Sequence, residues 1–326
     1  MRDERTTVEW NDGVVELIEQ TLLPDRYEIL AVSDVPTMID AIKRLAVRGA
    51  PAIGVAGAYG VALAARTLTG AALAQGIHEL REARPTAVNL ARMVDRAAAR
   101  LTDGPAAVLA EANAIRAEEL DASVAQGEKG ADLVVELCGD RPIRAMTICN
   151  TGGLATVARG TALAVINELF DRGRLMEAIA LETRPLLQGA RLTAWELQRM
   201  GAPHRLVVDS AAPFLLSRGI ADVVLIGADR VAANGDTANK VGSFSLALAA
   251  RYAGVPFIVV APESTVDSAT PTGADIEIED RGSAEVVTFR GVNTAPPGTA
   301  AINPAFDVTP VALITALVTD QRVVRY

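Results

Sequence analysis

The residues best placed to do chemistry follow the apolar run Val223–Ile226. After Gly227 and Ala228 comes Asp229, then small and turn-forming residues, then Asn239 and Lys240. A short apolar run bounded by turn signals reads as a buried strand, and the rest as a loop entering a helix that carries Asn239 and Lys240 near its start. In open α/β sheets ligands sit beyond the carboxyl ends of strands, which puts Asp229 where chemistry is usually done. A carboxylate there, with amide and ammonium donors about ten residues on, suits a polar phosphorylated small molecule. The plainer reading is an aspartate that caps the next segment.

A second constellation is Cys149-Asn150-Thr151-Gly152-Gly153, between an apolar run and a segment that reads as a long helix over 154–170. A thiol at a helix amino terminus feels the dipole, and the glycines let backbone amides approach a ligand closely. The alternative is a small buried hydrophobe, which is what most free cysteines are. Cys138 lacks such a setting and reads as structural. Arg48-Gly49-Ala50-Pro51 and Arg84-Pro85-Thr86-Ala87-Val88-Asn89 each place an arginine just before a helix, a natural phosphate cradle. Gln188-Gly189-Ala190-Arg191 offers a glutamine that could orient sugar hydroxyls, or simply a solvated helix start.

Other chemistries find no support. There is no Walker A loop and no G-x-G-x-x-G after a strand, so nucleotide hydrolysis and nicotinamide cofactors lose ground. Asn234-Gly235-Asp236 lacks the carboxylate spacing of a calcium loop. His78 and His204 are the only histidines and no Cys-x-x-Cys exists, so a zinc site is not expected.

The elements that must position these residues follow from composition and pattern. The chain has 326 residues, 50% hydrophobic but only 4% aromatic, which suggests two domains of helices packed closely on a Val, Ile and Leu sheet. With 31 basic against 40 acidic residues the net charge is −9, which argues against nucleic acid while leaving local arginines free to bind phosphate. Two cysteines suggest no disulfide framework, and Met1–Arg5 show no signal-peptide pattern, so a reduced cytoplasm is expected. Gly49 to Ala65 carries no charge but is too short and too rich in Ala and Gly to span a membrane. It reads as a buried helix, with Gly54, Gly57 and Gly60 on one face for close packing.

Residues 7–32 suggest a small hairpin sheet, followed by helices over 38–46, 50–65, 71–82, 89–101 and 104–119. Beyond about residue 130, the runs Ala145–Ile148, Ile179–Leu181, Leu206–Val208, Val223–Ile226 and Phe257–Val260 alternate with helical stretches. This is the βαβ signature of a parallel sheet covered on both faces. The polar residues after these runs should line one edge: Cys149-Asn150, Glu182 to Arg184, Asp209-Ser210, Asp229-Arg230 and Pro262 to Ser264. Thr309 as cap and Pro310 at the first helical position predict a final helix. The expected fold is α/β. A mainly helical N-terminal domain with a short antiparallel sheet (1–118) precedes a Rossmann-like, doubly wound, mostly parallel C-terminal domain (119–326).

Several long words occur in a telling order: Val47 to Gly54, Arg84 to Leu90, Cys149 to Gly152, Glu182 to Leu197, Gly227 to Lys240 and Asn303 to Pro310. With Glu9-Trp10, Asp12-Gly13 and Gln20 to Pro24, they resemble the methylthioribose-1-phosphate isomerase family over nearly the whole chain. That family is related to the regulatory subunits of translation-initiation exchange factor 2B. The resemblance implies interconversion of 5-methylthioribose 1-phosphate and 5-methylthioribulose 1-phosphate in methionine salvage, without cofactor, by a homodimer. It also implies that Cys149 and Asp229 are catalytic, Asp229 as the proton donor, and that Arg48, Gly49, Ala50, Arg84, Gln188, Asn239 and Lys240 bind substrate.

Three places depart from the family pattern: Gly153, the stretch Asp209 to Leu215 with Pro213, and Phe289 to Ala295. They bear on the 5-substituent rather than on the reaction type. The alternatives are therefore an isomerase of 5-deoxyribose 1-phosphate or ribose 1,5-bisphosphate and, from another class, a non-catalytic sugar-phosphate or nucleotide sensor. Retention of both Cys149 and Asp229 speaks for the enzyme.

Overall fold

The computed structural model describes residues 6–84, 88–289 and 291–326. Met1–Arg5, Pro85 to Ala87 and Arg290, which fall in segments singled out above, lie outside the described residues.

An antiparallel sheet, β1 (Val8–Asn11), β2 (Val14–Ile18) and β3 (Ile29–Val32), opens the chain as expected. Asp12 and Gly13 both adopt positive φ in its first turn, the geometry that matches hairpin twist. Helices α1 (Val35–Lys43), α2 (Ala50–Thr67), α3 (Gly70–Arg81), α4 (Val88–Ala98) and α5 (Pro105–Cys138) follow. Asp34 caps α1, accepting from the Thr37 N–H at 2.8 Å. Helix α2, uncharged until Arg66 in its last turn, is the axis of this unit, buried from Pro51 to Ala64. Its three spaced glycines are where neighbouring helices press in. A Cβ on Gly57 would stand 2.5 Å from Leu90, and one on Gly60 2.6 Å from Leu80.

Helix α5 departs from expectation by running on from 119 to Cys138, where Gly139 at φ +83 stops it. Val108, Ala112 and Ile115 lie in the core around α2, whereas Ala131, Leu133 and Val134 lie in the core beneath the second sheet. Gly127 and Gly130 let the next helix, α6 (Ala162–Asp171), lie close against it. The boundary proposed at 118/119 therefore falls inside one helix that both units share.

The remaining helices are α7 (Ala194–Met200), α8 (Ala212–Ser217), α9 (Ser243–Ala253) and the single turn α10 (Ala284–Val287). The C-terminal strands are β4 (Ile143–Thr147), β5 (Leu175–Leu181), β6 (His204–Val207), β7 (Val223–Ile226), β8 (Arg230–Ala232), β9 (Thr237–Lys240) and β10 (Phe257–Val260). They continue with β11 (Val266–Asp267), β12 (Thr288–Phe289), β13 (Val292–Asn293), β14 (Phe306–Thr309), β15 (Ala316–Val318) and β16 (Val323–Arg325). Seven form one sheet in the order β16-β15-β10-β7-β4-β5-β6, parallel except for the edge strand β16. Apolar residues pack on both of its faces, Ala145 and Ala178 among one cluster and Met146 and Ile179 among the other. This is the doubly wound, mostly parallel sheet that the alternating runs predict. The chain leaves β4 for β5 on one side and later returns to β7 on the other, so a crevice opens beyond the ends of β4 and β7.

Two predicted helices start later than expected, at Ala162 and Ser243, and the final one is absent, each for a local reason. Residues 153–160 form a 3-10 turn and a loop instead of the start of a long helix. Gly160 sits at φ +97, and the Thr161 N–H returns to the Thr151 carbonyl at 2.7 Å. That loop bonds to the N-terminal unit: Thr7 N–H reaches the Val157 carbonyl at 2.9 Å, and Gln20 Nε2 the Leu154 carbonyl at 2.7 Å. Asn239 and Lys240 lie on strand β9, not a helix, because the Asn234–Gly235 turn folds β8 back onto β9. A further strand, β14, then pairs with β9 from its other side. After Pro310 there is one 3-10 turn and then β15, which covers β10 with three fully buried residues. Thr309 thus ends β14 rather than capping a helix.

Candidate active site

The crevice at the switch between β4 and β7 receives Cys149 from the end of β4 and Asp229 from the end of β7. Across it stands the amino terminus of α2, with Arg48 and Gly49 leading into Ala50. Gly49 adopts φ +92 and ψ 137, a backbone state open in practice only to glycine, and it rests against the Ala155 backbone. The loop after β4 is thereby clamped to the phosphate-cradle geometry expected of Arg48-Gly49-Ala50.

Cys149 is buried and has φ +70, a strained conformation for a residue with a side chain. Hydrogen bonds on both sides hold it there. Its N–H donates to Thr183 Oγ1 at 2.9 Å, and its carbonyl accepts from Thr193 Oγ1 at 2.7 Å. Asp209 in turn fixes Thr183 and Arg184 through their backbone N–H groups at 2.8 and 2.7 Å. Arg48 Nη2 and Gln188 Nε2 both donate to the Cys149 sulfur, each at 3.6 Å. Gln188 is buried, not a solvated helix start, and its Oε1 has no hydrogen-bond partner among the described residues. A buried amide oxygen left open in this way suits a hydroxyl donor from a ligand.

Asp229 is half-buried, with its backbone N–H tied to the Ala238 carbonyl at 2.9 Å. Burial pushes its carboxyl pKa up, opposed by Lys240, Arg48 and Arg84, whose charges all lie near enough to act on it. Lys240 is buried, its ammonium pKa lowered by burial while Cys149 and Asp229 pull it back up. Its Nζ donates to the Ala305 carbonyl at 2.6 Å and lies 5.0 Å from the Phe306 ring centroid. Arg84 is mostly enclosed and stands 3.9 Å from Glu279. Asn239, beside Lys240 on β9, is buried, and its amide nitrogen donates to Ser243 Oγ at the start of α9 at 2.8 Å.

The structure thus gathers Cys149, Asp229, Arg48, Arg84, Gln188 and Lys240 around one crevice, with Gly49 and Ala50 supplying helix-end backbone. Sequence reasoning placed Thr183 only along the sheet edge, and missed Glu196 and Thr193, which carry no local signal because they contact Asn150 and the Cys149 backbone. A cleft of about 710 Å³ lies behind the Cys149 loop, lined by Tyr27, Arg159 and Trp195 among others. It contains none of the predicted site residues. Among the described residues no cluster of three His, Cys, Asp or Glu could hold a metal, and no helix is long and apolar enough to cross a membrane.

The profile of the initiation factor 2 subunit family matches residues 46–325. The chain belongs to that family. Within the initiation factor 2 subunit family it stands among the methylthioribose-1-phosphate isomerases. It is 48% identical to the methylthioribose-1-phosphate isomerase of Chloroflexus aurantiacus, over 99% of this chain and 96% of that one. It is 51% identical to a probable bifunctional methylthioribose-1-phosphate isomerase/methylthioribulose-1-phosphate dehydratase of Nocardia farcinica. That match covers 98% of this chain but spans only 59% of the Nocardia protein's length. The crystal structure of 5-methylthioribose 1-phosphate isomerase from Pyrococcus horikoshii superimposes with a TM-score of 0.91 at 38% identity, covering 99% of this chain and 93% of that one. The α/β architecture deduced from the alternating runs is the architecture of the family.

Proposed function

We propose that this chain isomerises 5-methylthioribose 1-phosphate to 5-methylthioribulose 1-phosphate, an aldose–ketose conversion of methionine salvage. The observation that carries the reading is a thiol and a burial-raised carboxyl facing one cationic crevice, in a chain about half identical to isomerases of that substrate. A sugar phosphorylated at its anomeric oxygen cannot open by losing a hydroxyl proton. The bond from C1 to the ring oxygen must be cleaved with assistance, and hydrogen must move from C2 to C1. Asp229, its carboxyl pKa raised by burial, donates to the ring oxygen. Cys149, with Arg48 and Gln188 on its sulfur, acts as base or stabilises charge near C1 and C2. Arg48, Arg84, Lys240 and the amides of Gly49 and Ala50 hold the phosphate. Gln188 and Asn239 orient sugar hydroxyls, and enclosure of the crevice excludes water.

The assembly we propose is a homodimer in the cytoplasm. Exposed Phe214 on α8 and Phe244, Leu248 and Tyr252 on α9, which packs against α8, present an apolar face suited to a second copy.

Turnover of 5-methylthioribose 1-phosphate and 5-deoxyribose 1-phosphate, measured side by side, tests the reaction. Preference for the thioether sugar, lost by ~10²-fold or more in Cys149→Ala and Asp229→Asn, is expected. Better use of the deoxy sugar would move the substrate, and silence on both would restore the sensor reading.

A further inference from the structure

Glu196 on α7 reaches the back of the Cys149 loop. Its Oε1 accepts from Asn150 Nδ2 at 2.9 Å and from the Leu154 N–H at 3.2 Å, and the carboxylate also takes the Gly153 N–H. Asn150 is buried, and its Oδ1 accepts from Arg48 Nη1 at 2.8 Å. The other arm of the same guanidinium, Nη2, donates to the Cys149 sulfur. A chain of contacts therefore runs Glu196, Asn150, Arg48, Cys149.

The order of donors and acceptors in that chain is fixed at one end only. An asparagine amide offers an acceptor on one side and donors on the other, and either side could face Arg48. A carboxylate has only acceptors. Placed against one side of Asn150, it forces the NH₂ toward itself and so turns Oδ1 toward the guanidinium. Thr193 Oγ1, 3.3 Å from Asn150 Nδ2, already gives its hydrogen to the Cys149 carbonyl, so it can only accept and reinforces the same choice. With the amide reversed, two donors would confront each other at Arg48, and Nη2 would leave the sulfur.

We infer that Glu196 is a positioning residue of the isomerase. It locks the Asn150 amide so that Arg48 is aimed at the Cys149 sulfur and the substrate phosphate. This rests on the reading of Arg48 and Cys149 as site residues. Glu196 is half-buried and lines the cleft behind the loop.

The test compares Glu196→Gln with wild type by thermal unfolding, by kcat and KM, and by iodoacetamide alkylation of Cys149 at a fixed neutral pH, read by mass spectrometry of its peptide. Glutamine keeps the shape but replaces one acceptor with a donor. The expected result is a folded variant with kcat/KM down at least ~10-fold, the range found when groups that orient a ligating or reacting side chain are changed. Alkylation should slow several-fold, because Arg48 Nη2 no longer donates to the Cys149 sulfur. Faster alkylation would mean a merely loosened loop and would overturn the inference, as would unchanged kinetics.

A double-mutant cycle with Asn150→Ser guards against a variant that folds poorly. If Glu196 acts through Asn150, Glu196→Gln costs nothing further in the Asn150→Ser background, whereas additive losses would refute the relay. Alkylation needs no substrate, so it remains readable even if the assigned sugar phosphate proves wrong.

Discussion

Replacing Gly49 with alanine separates two costs that the structure makes measurable. The residue sits at φ +92 and ψ 137, and its new Cβ would stand 2.2 Å from the Ala155 carbonyl oxygen and 2.6 Å from Ala155 Cα. The backbone state alone costs on the order of 1–3 kcal/mol for a residue with a side chain. Forcing a methyl group into a backbone contact adds about 1–3 kcal/mol, since no flexible side chain is present to move away. Together they predict a loss of roughly 2–6 kcal/mol. Relief must come from parting α2 from the loop that carries Cys149, by about an ångström, and such a shift near reacting groups can cost ~10²-fold in rate. Gly104 is the control, having the same φ of +92 with nothing within 4 Å of its Cβ position. Urea unfolding and kcat/KM are measured on both alanine variants. Gly104→Ala should lose only the strain term and keep wild-type kinetics, whereas Gly49→Ala should lose more stability and at least ~10-fold in kcat/KM. Equal stability losses with unchanged kinetics in both would refute the claim that Gly49 holds the two halves of the site together.

Two further expectations concern places away from the crevice. Glu119 is buried within α5, and burial, aided by Asp320 and Glu118, raises its pKa from 4.5 to about 7. Because the folded value is the higher, the protein is relatively more stable below pH 4.5 and loses up to about 3 kcal/mol as pH rises to about 7. Glu119→Gln should remove that loss, so the variant gains on wild type in urea unfolding at pH 8 and not at pH 4; parallel pH profiles would contradict it. On the apolar face of α8 and α9, Tyr252→Glu should halve the mass seen by light scattering if that face joins two copies. An unchanged dimer would place the interface elsewhere.

The sheet was legible because its strands are apolar runs bounded by turns, and burial on both faces leaves no other use for them. Helix α2 was equally legible, since an uncharged stretch with glycines three apart has only close packing to explain it. The errors share one cause. Asn239 and Lys240, the start of the 153–160 loop, and the segment after Pro310 all carry local signals compatible with a helix, but distant partners decided them. The Ala238 to Lys240 backbone is claimed by β14, residues 153–158 by Thr7 and Gln20, and Ala316–Val318 by the open side of β10. The candidate site was readable where a residue faces the crevice itself, as Cys149, Asp229 and Arg48 do. It was unreadable at Glu196, whose role exists only because α7 brings it behind Asn150.

The shared helix α5 has a consequence for how the protein comes apart. At 34 residues it extends about 50 Å, and its first turns complete one hydrophobic core while its last turns complete the other. Melting either core strips a rod of half its lateral support, so the fate of one half is communicated to the other. The two banks of the crevice, Arg48 on one and Cys149 with Asp229 on the other, are then braced like the legs of a truss. Their separation is set by a member that cannot bend locally without breaking its own ladder of hydrogen bonds. Motion at the crevice falls first to its loops, and the spacing of Arg48 from Cys149 and Asp229 leans on a helix that contributes none of the three.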